Sequence, residues 1–244
     1  MDQLINDMIL NLTINDKSTG RLALSLGTKG SGKTHLLNLW LKYCFNHNLY
    51  DMYFLILPSY NIEADGSYKF IDKNNENIFI FEEYKPIISE KIMRLQKKLT
   101  NAKKEKKRIF FVIDDSSGEK LDSFSMDTSM KRLVTSIRHF NTVLLLIAHG
   151  SSGVLSTFLR QNCDVLMLYN LSNQALLENI FIEFLSLNKQ YRKQDTIRKN
   201  MNEFVNEFLN LHEKPYQCLY INLRTRKVFD QMNNVCQILQ KNYN

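Results

Sequence analysis

The sequence predicts an α/β fold in which helices cover both faces of a mainly parallel sheet. Three observations predict it. Short runs of branched and aromatic residues recur at Leu22 to Leu26, Tyr53 to Leu57, Asn77 to Phe81, Ile109 to Ile113, Val143 to Ala148 and Asp164 to Tyr169, with the length and composition of buried strands. Segments with helical spacing lie between most of them, the first being His35 to Asn46. A glycine-rich turn, GTKGSGKT, joins the first strand to that helix. The composition agrees: 244 residues, 44% hydrophobic and 23% charged, with 8 Gly and 3 Pro, describe a globular chain with a sizeable core and exclude a disordered or collagen-like one. No internal repeat or long linker breaks the pattern. Residues 1–244 therefore read as one domain, with a core over about 20–230 and a short N-terminal segment, 1–19.

The opening MDQLINDMILNLTIND has no Lys or Arg before Lys17, so it lacks the basic start of a secretory signal, and secretion is not expected. The longest apolar runs, such as Val143 to Ala148, reach about six residues, far short of the roughly 20 residues of a membrane span. No membrane partner is expected. The four cysteines, Cys44, Cys163, Cys218 and Cys236, are scattered, with neither metal-ligand nor disulfide-framework spacing. They read as thiols of a reducing compartment, in which the Asn11-Leu12-Thr13 sequon is not a glycosylation site. A net charge of +7 and a pI near 9.1 suit a partner rich in phosphate.

Much of that charge belongs to one predicted helix, Pro86 to Lys107. Proline suits its first turn, and Ile88, Ile92, Leu95, Leu99 and Ala102 share one face. From Lys91 to Arg108 nine basic residues stand against one acid, Glu105. Such a face is either solvated or tracks the phosphates of DNA or RNA. Beyond Tyr169, Leu176, Ile180, Phe184 and Leu187 mark a helical covering layer that runs to about His212. The alternating CLYINL, Cys218 to Leu223, a turn at Arg224 to Arg226 and Lys227-Val228-Phe229 then predict a hairpin at the sheet edge.

The candidate chemistry starts in the turn. Gly27, Thr28, Lys29, Gly30, Ser31, Gly32, Lys33 and Thr34 form the phosphate-binding pattern GxxxxGKT between an apolar strand and an amphipathic helix. Glycines let backbone N–H groups curl around a β-phosphate, and the positive end of the helix adds its dipole. Lys33 would reach the β- and γ-phosphates of ATP, and Thr34 would give its hydroxyl to Mg²⁺. In RIFFVIDDSSG, five apolar residues lead into Asp114 and Asp115, two acids at the end of a strand where α/β proteins bind ligands. Asp114 would join the Mg²⁺ shell and Asp115 would polarise the attacking water; Glu119 is a weaker candidate for that base. His149 ends the strand Val143 to Ala148, where a polar group can sense the γ-phosphate, and it equally suits an ordinary loop role. Arg138 and Arg160 are candidates to reach a neighbouring subunit's γ-phosphate, and each also suits a surface position.

Taken in order, GTKGSGKT, LILPSYNIEADGSY, IFFVIDD, SIRHFNTVLLLIAHGSSGVLSTFLRQNCDVLMLY and CLYINLRTRKVF resemble the poxvirus-type DNA-packaging ATPases of large DNA viruses and virophages, within the FtsK/HerA superfamily. The resemblance implies a P-loop NTPase with a RecA/FtsK-like sheet and a homo-oligomeric ring, a pentamer or hexamer. It implies a motor that threads double-stranded viral DNA into a preformed capsid, in the host-cell cytoplasm at the site of virus assembly or in association with the virion. It assigns ATP and Mg²⁺ to Lys33 and Thr34, the metal-linked acid to Asp114, the catalytic acid to Asp115 and the arginine finger to Arg138, with Arg160 second. Two positions depart from the family pattern: Asp115 stands where Glu is frequent, and His149 where Gln or Asn is frequent. Two other readings of the phosphate loop are a nucleotide or small-molecule kinase and a nucleotide-gated assembly protein.

Overall fold

The computed structural model describes residues 20–57, 68–72, 74–116, 127–149, 156–171, 173–185, 194–213, 215–223 and 227–229. In chain order the elements are β1 (Arg21–Gly27), α1 (Lys33–Asn46), β2 (Met52–Ile56), β3 (Ile78–Phe81), α2 (Pro86–Asn101), β4 (Ile109–Ser116) and α3 (Thr128–Thr135). A 3₁₀ turn, Ile137–Phe140, leads into β5 (Thr142–His149), α4 (Thr157–Asn162), β6 (Val165–Leu168) and α5 (Gln174–Ile180). A π-helical turn, Phe181–Leu185, follows, then α6 (Gln194–Leu211), β7 (Leu219–Asn222) and β8 (Lys227–Phe229).

The strands form one sheet of eight, ordered β3-β2-β4-β5-β1-β6-β7-β8. From β3 to β6 every pairing is parallel, and β7 and β8 continue the sheet antiparallel to β6. The expected parallel core and edge hairpin are both present.

Alternation along the central strands explains why both faces need cover. Leu22, Leu24 and Leu26 of β1 enter one core with Ile109, Phe111, Ile113, Leu144 and Leu146. Ala23 of β1 enters the other with Phe110, Val112, Val143, Leu145 and Ile147. Helix α1 covers this second face through Leu37, Trp40, Leu41 and Cys44, with Trp40 packed on Phe110 at a ring separation of 5.2 Å. Helices α2 to α6 contribute to the first core. Residues 173–185 and 194–211 thus supply the covering layer the sequence predicts, while Leu187 lies outside the described residues. Phe204 and Phe208 of α6 are fully buried in it, each burial worth roughly 1.5–3 kcal/mol.

One helix boundary is corrected. Helix α2 ends at Asn101, short of the expected Lys107, and Lys103 has a φ of +53°. The reason lies on the buried face: fully buried Gln96 donates to Lys107 O (2.6 Å) and Phe140 O (2.7 Å) and accepts from Lys107 N (3.2 Å). The amide clamps the chain as it turns back toward β4. Among the described residues no helix is long and apolar enough to cross a membrane.

Candidate nucleotide site

Parallel strands carry their ligand crevice at their carboxyl ends, and here β1, β4 and β5 bring Gly27, Asp114 and His149 to that end. The backbone between β1 and α1 turns through Gly30 at φ +75° and Gly32 at φ +99°, values that side chains with a Cβ rarely adopt. Gly32 caps α1 without a side-chain hydrogen bond, and no acid stands in the first turn. The helix therefore offers its first N–H groups and its positive end to an anion. Gly27 is needed for close approach: a Cβ there would lie 2.6 Å from Tyr169 Cβ and 2.7 Å from Ser31 Oγ. Thr28 N–H donates to Asn170 O (2.9 Å), tying the loop to the chain beyond β6.

Lys33 is buried, and its ammonium donates to Gly27 O (2.8 Å) and Thr28 O (2.7 Å), so the charge lies within the curve of the loop. Thr34, the next residue, donates its hydroxyl to Asp114 Oδ2 (3.3 Å). The strand period places Asp114 there: it follows Phe110 and Val112 on the face of the sheet that α1 covers. Beyond Ile113 the β4–β5 register shifts, Ile113 facing Leu146 and Ser116 facing Ala148, so that β4 holds one extra residue at the two acids. Such bulges redirect side chains beside binding sites.

The same Asp114 oxygen accepts a 2.7 Å hydrogen bond from the hydroxyl of buried Tyr68. Sequence reasoning missed Tyr68, because no motif marks its hydroxyl; it lies in the LILPSYNIEADGSY stretch, otherwise notable only as part of the resemblance. A cavity of about 400 Å³ is lined by the loop from Lys29 to Thr34, His35, Asp114 and His149. His149 enters it because the β1–β5 register sets it beside Gly27. The residues fit a polyphosphate and a hard cation: backbone donors and an ammonium on one side, a hydroxyl and a carboxylate oxygen on the other. Among the described residues no group of three or more His, Cys, Asp or Glu forms an all-protein metal cage.

The remaining expected site residues are placed differently. The backbone of Asp115 lies in β4 at the bulge, while its side chain and the whole of Glu119 lie outside the described residues. Arg138 is in the 3₁₀ turn before β5, not in a regular α-helix, and faces Asp164 at 3.9 Å. Asp164 in turn accepts from Leu22 N–H (2.9 Å), at the start of β1. A strand of this length separates Arg138 from the phosphate loop by on the order of 20 Å. That span exceeds the reach of an arginine side chain. Arg160, on α4, pairs with Glu183 at 3.0 Å and also donates to Thr157 Oγ1 (2.9 Å).

No family model matches the chain. It is 26% identical over 177 residues to the uncharacterized protein 015R of Frog virus 3, a match covering 72% of this chain and 52% of that protein. The chain thus spans about half the length of this curated relative. Among solved structures, the DNA-packaging ATPase of Sulfolobus turreted icosahedral virus superposes with a TM-score of 0.58 at 13% identity, over 88% of this chain and 97% of that one. The genome-packaging NTPase of Sulfolobus turreted icosahedral virus 2, solved with AMP, gives a TM-score of 0.58 at 13% identity, over 89% and 98%. The cytoplasmic domain of the type VII secretion ATPase of Thermomonospora curvata gives 0.52 at 15% identity, over 83% of this chain and 24% of that one. With its phosphate loop, mainly parallel sheet and edge hairpin, the chain shares the P-loop ATPase fold of these genome-packaging and secretion ATPases.

Proposed function

We propose that the chain is an ATP-hydrolysing motor that moves double-stranded DNA into a viral capsid as a homo-oligomeric ring. The observation that carries the reading is the convergence of Lys33, Thr34 and Asp114 on one cavity at the helix N-terminus. The loop N–H groups and Lys33 hold the β- and γ-phosphates of ATP. Thr34 and Asp114 would hold Mg²⁺, which when bound supplies positive charge to the β- and γ-phosphates. Asp115 polarises the attacking water, and His149, beside Gly27, reports the γ-phosphate. Arg138 acts on the site of a neighbouring copy, with Arg160 the second candidate. Hydrolysis is thereby tied to assembly at the host-cell site where capsids fill.

The DNA contact is assigned to the basic side of α2. A cleft of about 410 Å³ between α2, α3 and the 3₁₀ turn is lined by Lys97, Lys106, Arg132 and His139, with no carboxylate among its described lining residues. The helix face is not uniform, since Arg94 is paired with Glu90 at 3.0 Å. Contacts to phosphates grip any sequence, as a packaging motor must.

Steady-state ATP hydrolysis at low salt, with and without long double-stranded DNA, tests the reading. DNA is expected to stimulate turnover, salt to suppress the stimulation, and Lys33→Ala and Asp115→Asn to abolish turnover. Lys97→Glu with Arg132→Glu is expected to remove the stimulation and keep the basal rate. Hydrolysis indifferent to DNA at concentrations where oligomers form refutes translocation and turns the search to a kinase acceptor.

A further inference from the structure

A second cavity, of about 250 Å³, lies against the same loop. It shares Lys29, Gly30 and Ser31 with the phosphate cavity, so the two open on the loop together. Asn170, Pro215, Tyr216 and Gln217, from the segments beyond β6 and before β7, contribute the rest of its wall together with His212.

Tyr216 is the unusual member. It is 71% exposed, a large ring left in water within a few ångströms of a phosphate cradle. Its backbone has a φ of +62°, a conformation bulky residues rarely take. The ring rests on the loop: a Cβ at Gly32 would lie 3.1 Å from Tyr216 Cδ1. A side chain at 32 would press on the ring by a few tenths of an ångström. An uncovered aromatic ring in a cavity that Asn170 and Gln217 also line is complementary to a flat heterocycle with a hydrogen-bonding edge.

We propose that Tyr216 is the stacking platform for the nucleobase of ATP, and that the cavity between Asn170 and Gln217 is the base subsite. The proposal rests on the reading of the neighbouring loop as the triphosphate site. It assigns the open face of the ring to the base and the covered face to the loop, so that one molecule of ATP spans both cavities.

Calorimetric titration with Mg²⁺·ATP and, separately, Mg²⁺·tripolyphosphate separates base from phosphate binding. Tyr216→Ala is expected to weaken ATP about tenfold or more and to leave tripolyphosphate within about twofold of wild type. Tyr216→Phe keeps the plane and is expected to bind ATP as wild type does. Tyr216→Gly removes the ring and relieves the positive φ, so folding is retained while ATP affinity falls as in Tyr216→Ala. ATP binding unchanged in Tyr216→Ala overturns the subsite alone. Equal weakening of ATP and tripolyphosphate also overturns it and makes Tyr216 a prop for the loop. A wild-type chain that binds neither molecule overturns the phosphate site, and the base subsite with it.

Discussion

Replacing Tyr68 by phenylalanine removes one oxygen from a side chain that is 2% exposed and leaves its ring packing intact. The oxygen lost is the donor of the 2.7 Å hydrogen bond to Asp114 Oδ2. Hydrogen bonds to charged groups contribute about 1.5–3 kcal/mol net, and for a chain of this size each kcal/mol moves the melting temperature about 2–4 °C. Tyr68→Phe is therefore expected to lower Tm by about 3–12 °C, measured without nucleotide. The Thr34 hydroxyl, at 3.3 Å, is a longer contact to the same oxygen than the one removed. Groups that orient a metal ligand typically change metal affinity or activity 10–100-fold. In a Mg²⁺ titration of hydrolysis at fixed ATP, the half-saturating Mg²⁺ concentration is expected to rise about tenfold or more. High Mg²⁺ is expected to restore most of the rate. A Tyr68→Phe variant with wild-type Tm and wild-type Mg²⁺ dependence refutes the claim that this hydroxyl positions Asp114.

Gly27→Ala drives a methyl group against Tyr169 Cβ and Ser31 Oγ, at 2.6 and 2.7 Å, and is expected to cost about 1–3 kcal/mol and weaken ATP binding; chemical denaturation and calorimetry measure the two effects. Asp164→Ala deprives Leu22 N–H of its acceptor at a buried site and is expected to cost about 1–3 kcal/mol. Arg138 is 59% exposed and lies 3.9 Å from the buried Asp164, so Arg138→Ala loosens only a long contact and is expected to cost about 1 kcal/mol; loss of hydrolysis in a stable Arg138→Ala oligomer then isolates action between subunits. Burial lowers the pKa of His212 below its ordinary 6.5, although its ring lies 2.8 Å from Phe208 O. The unfolded chain therefore binds the proton more readily, and stability falls as pH drops through 6.5 toward the lowered value. Urea midpoints at pH 7.5 and 5.5 are expected to differ less in His212→Gln than in wild type.

Strands with apolar alternation and the loop GTKGSGKT were legible because local pattern and tertiary role coincide there. Leu22, Leu24 and Leu26 face one core and Ala23 the other, as a doubly covered strand requires. Asp114 was legible for the same reason, since it continues the period of Phe110 and Val112. The end of α2 was not. Charge and apolar spacing continue past Asn101, and only Gln96, through contacts with Lys107 and Phe140, draws the chain out of the helix. Tyr68 and Tyr216 were hidden for a related reason: each acts on a residue remote in sequence, Asp114 or Gly32, and neither stands in a local pattern. The position of Arg138 at the far end of β1 follows from strand direction, which its neighbouring residues do not encode.

Trp40 is the chain's single tryptophan, 2% exposed and packed on Phe110 beneath the helix that begins at Lys33. Two helical turns separate it from that lysine, a distance of about 10 Å along the axis. Its fluorescence therefore comes from one apolar environment, mechanically joined to the phosphate loop by a continuous rod of backbone. Excitation at the red edge of the protein spectrum selects this one emitter, and any displacement of α1 against β4 alters its quenching and emission colour. The molecule carries an intrinsic optical gauge on the helix behind its phosphate loop, suited to stopped-flow tests of nucleotide capture on unlabelled protein.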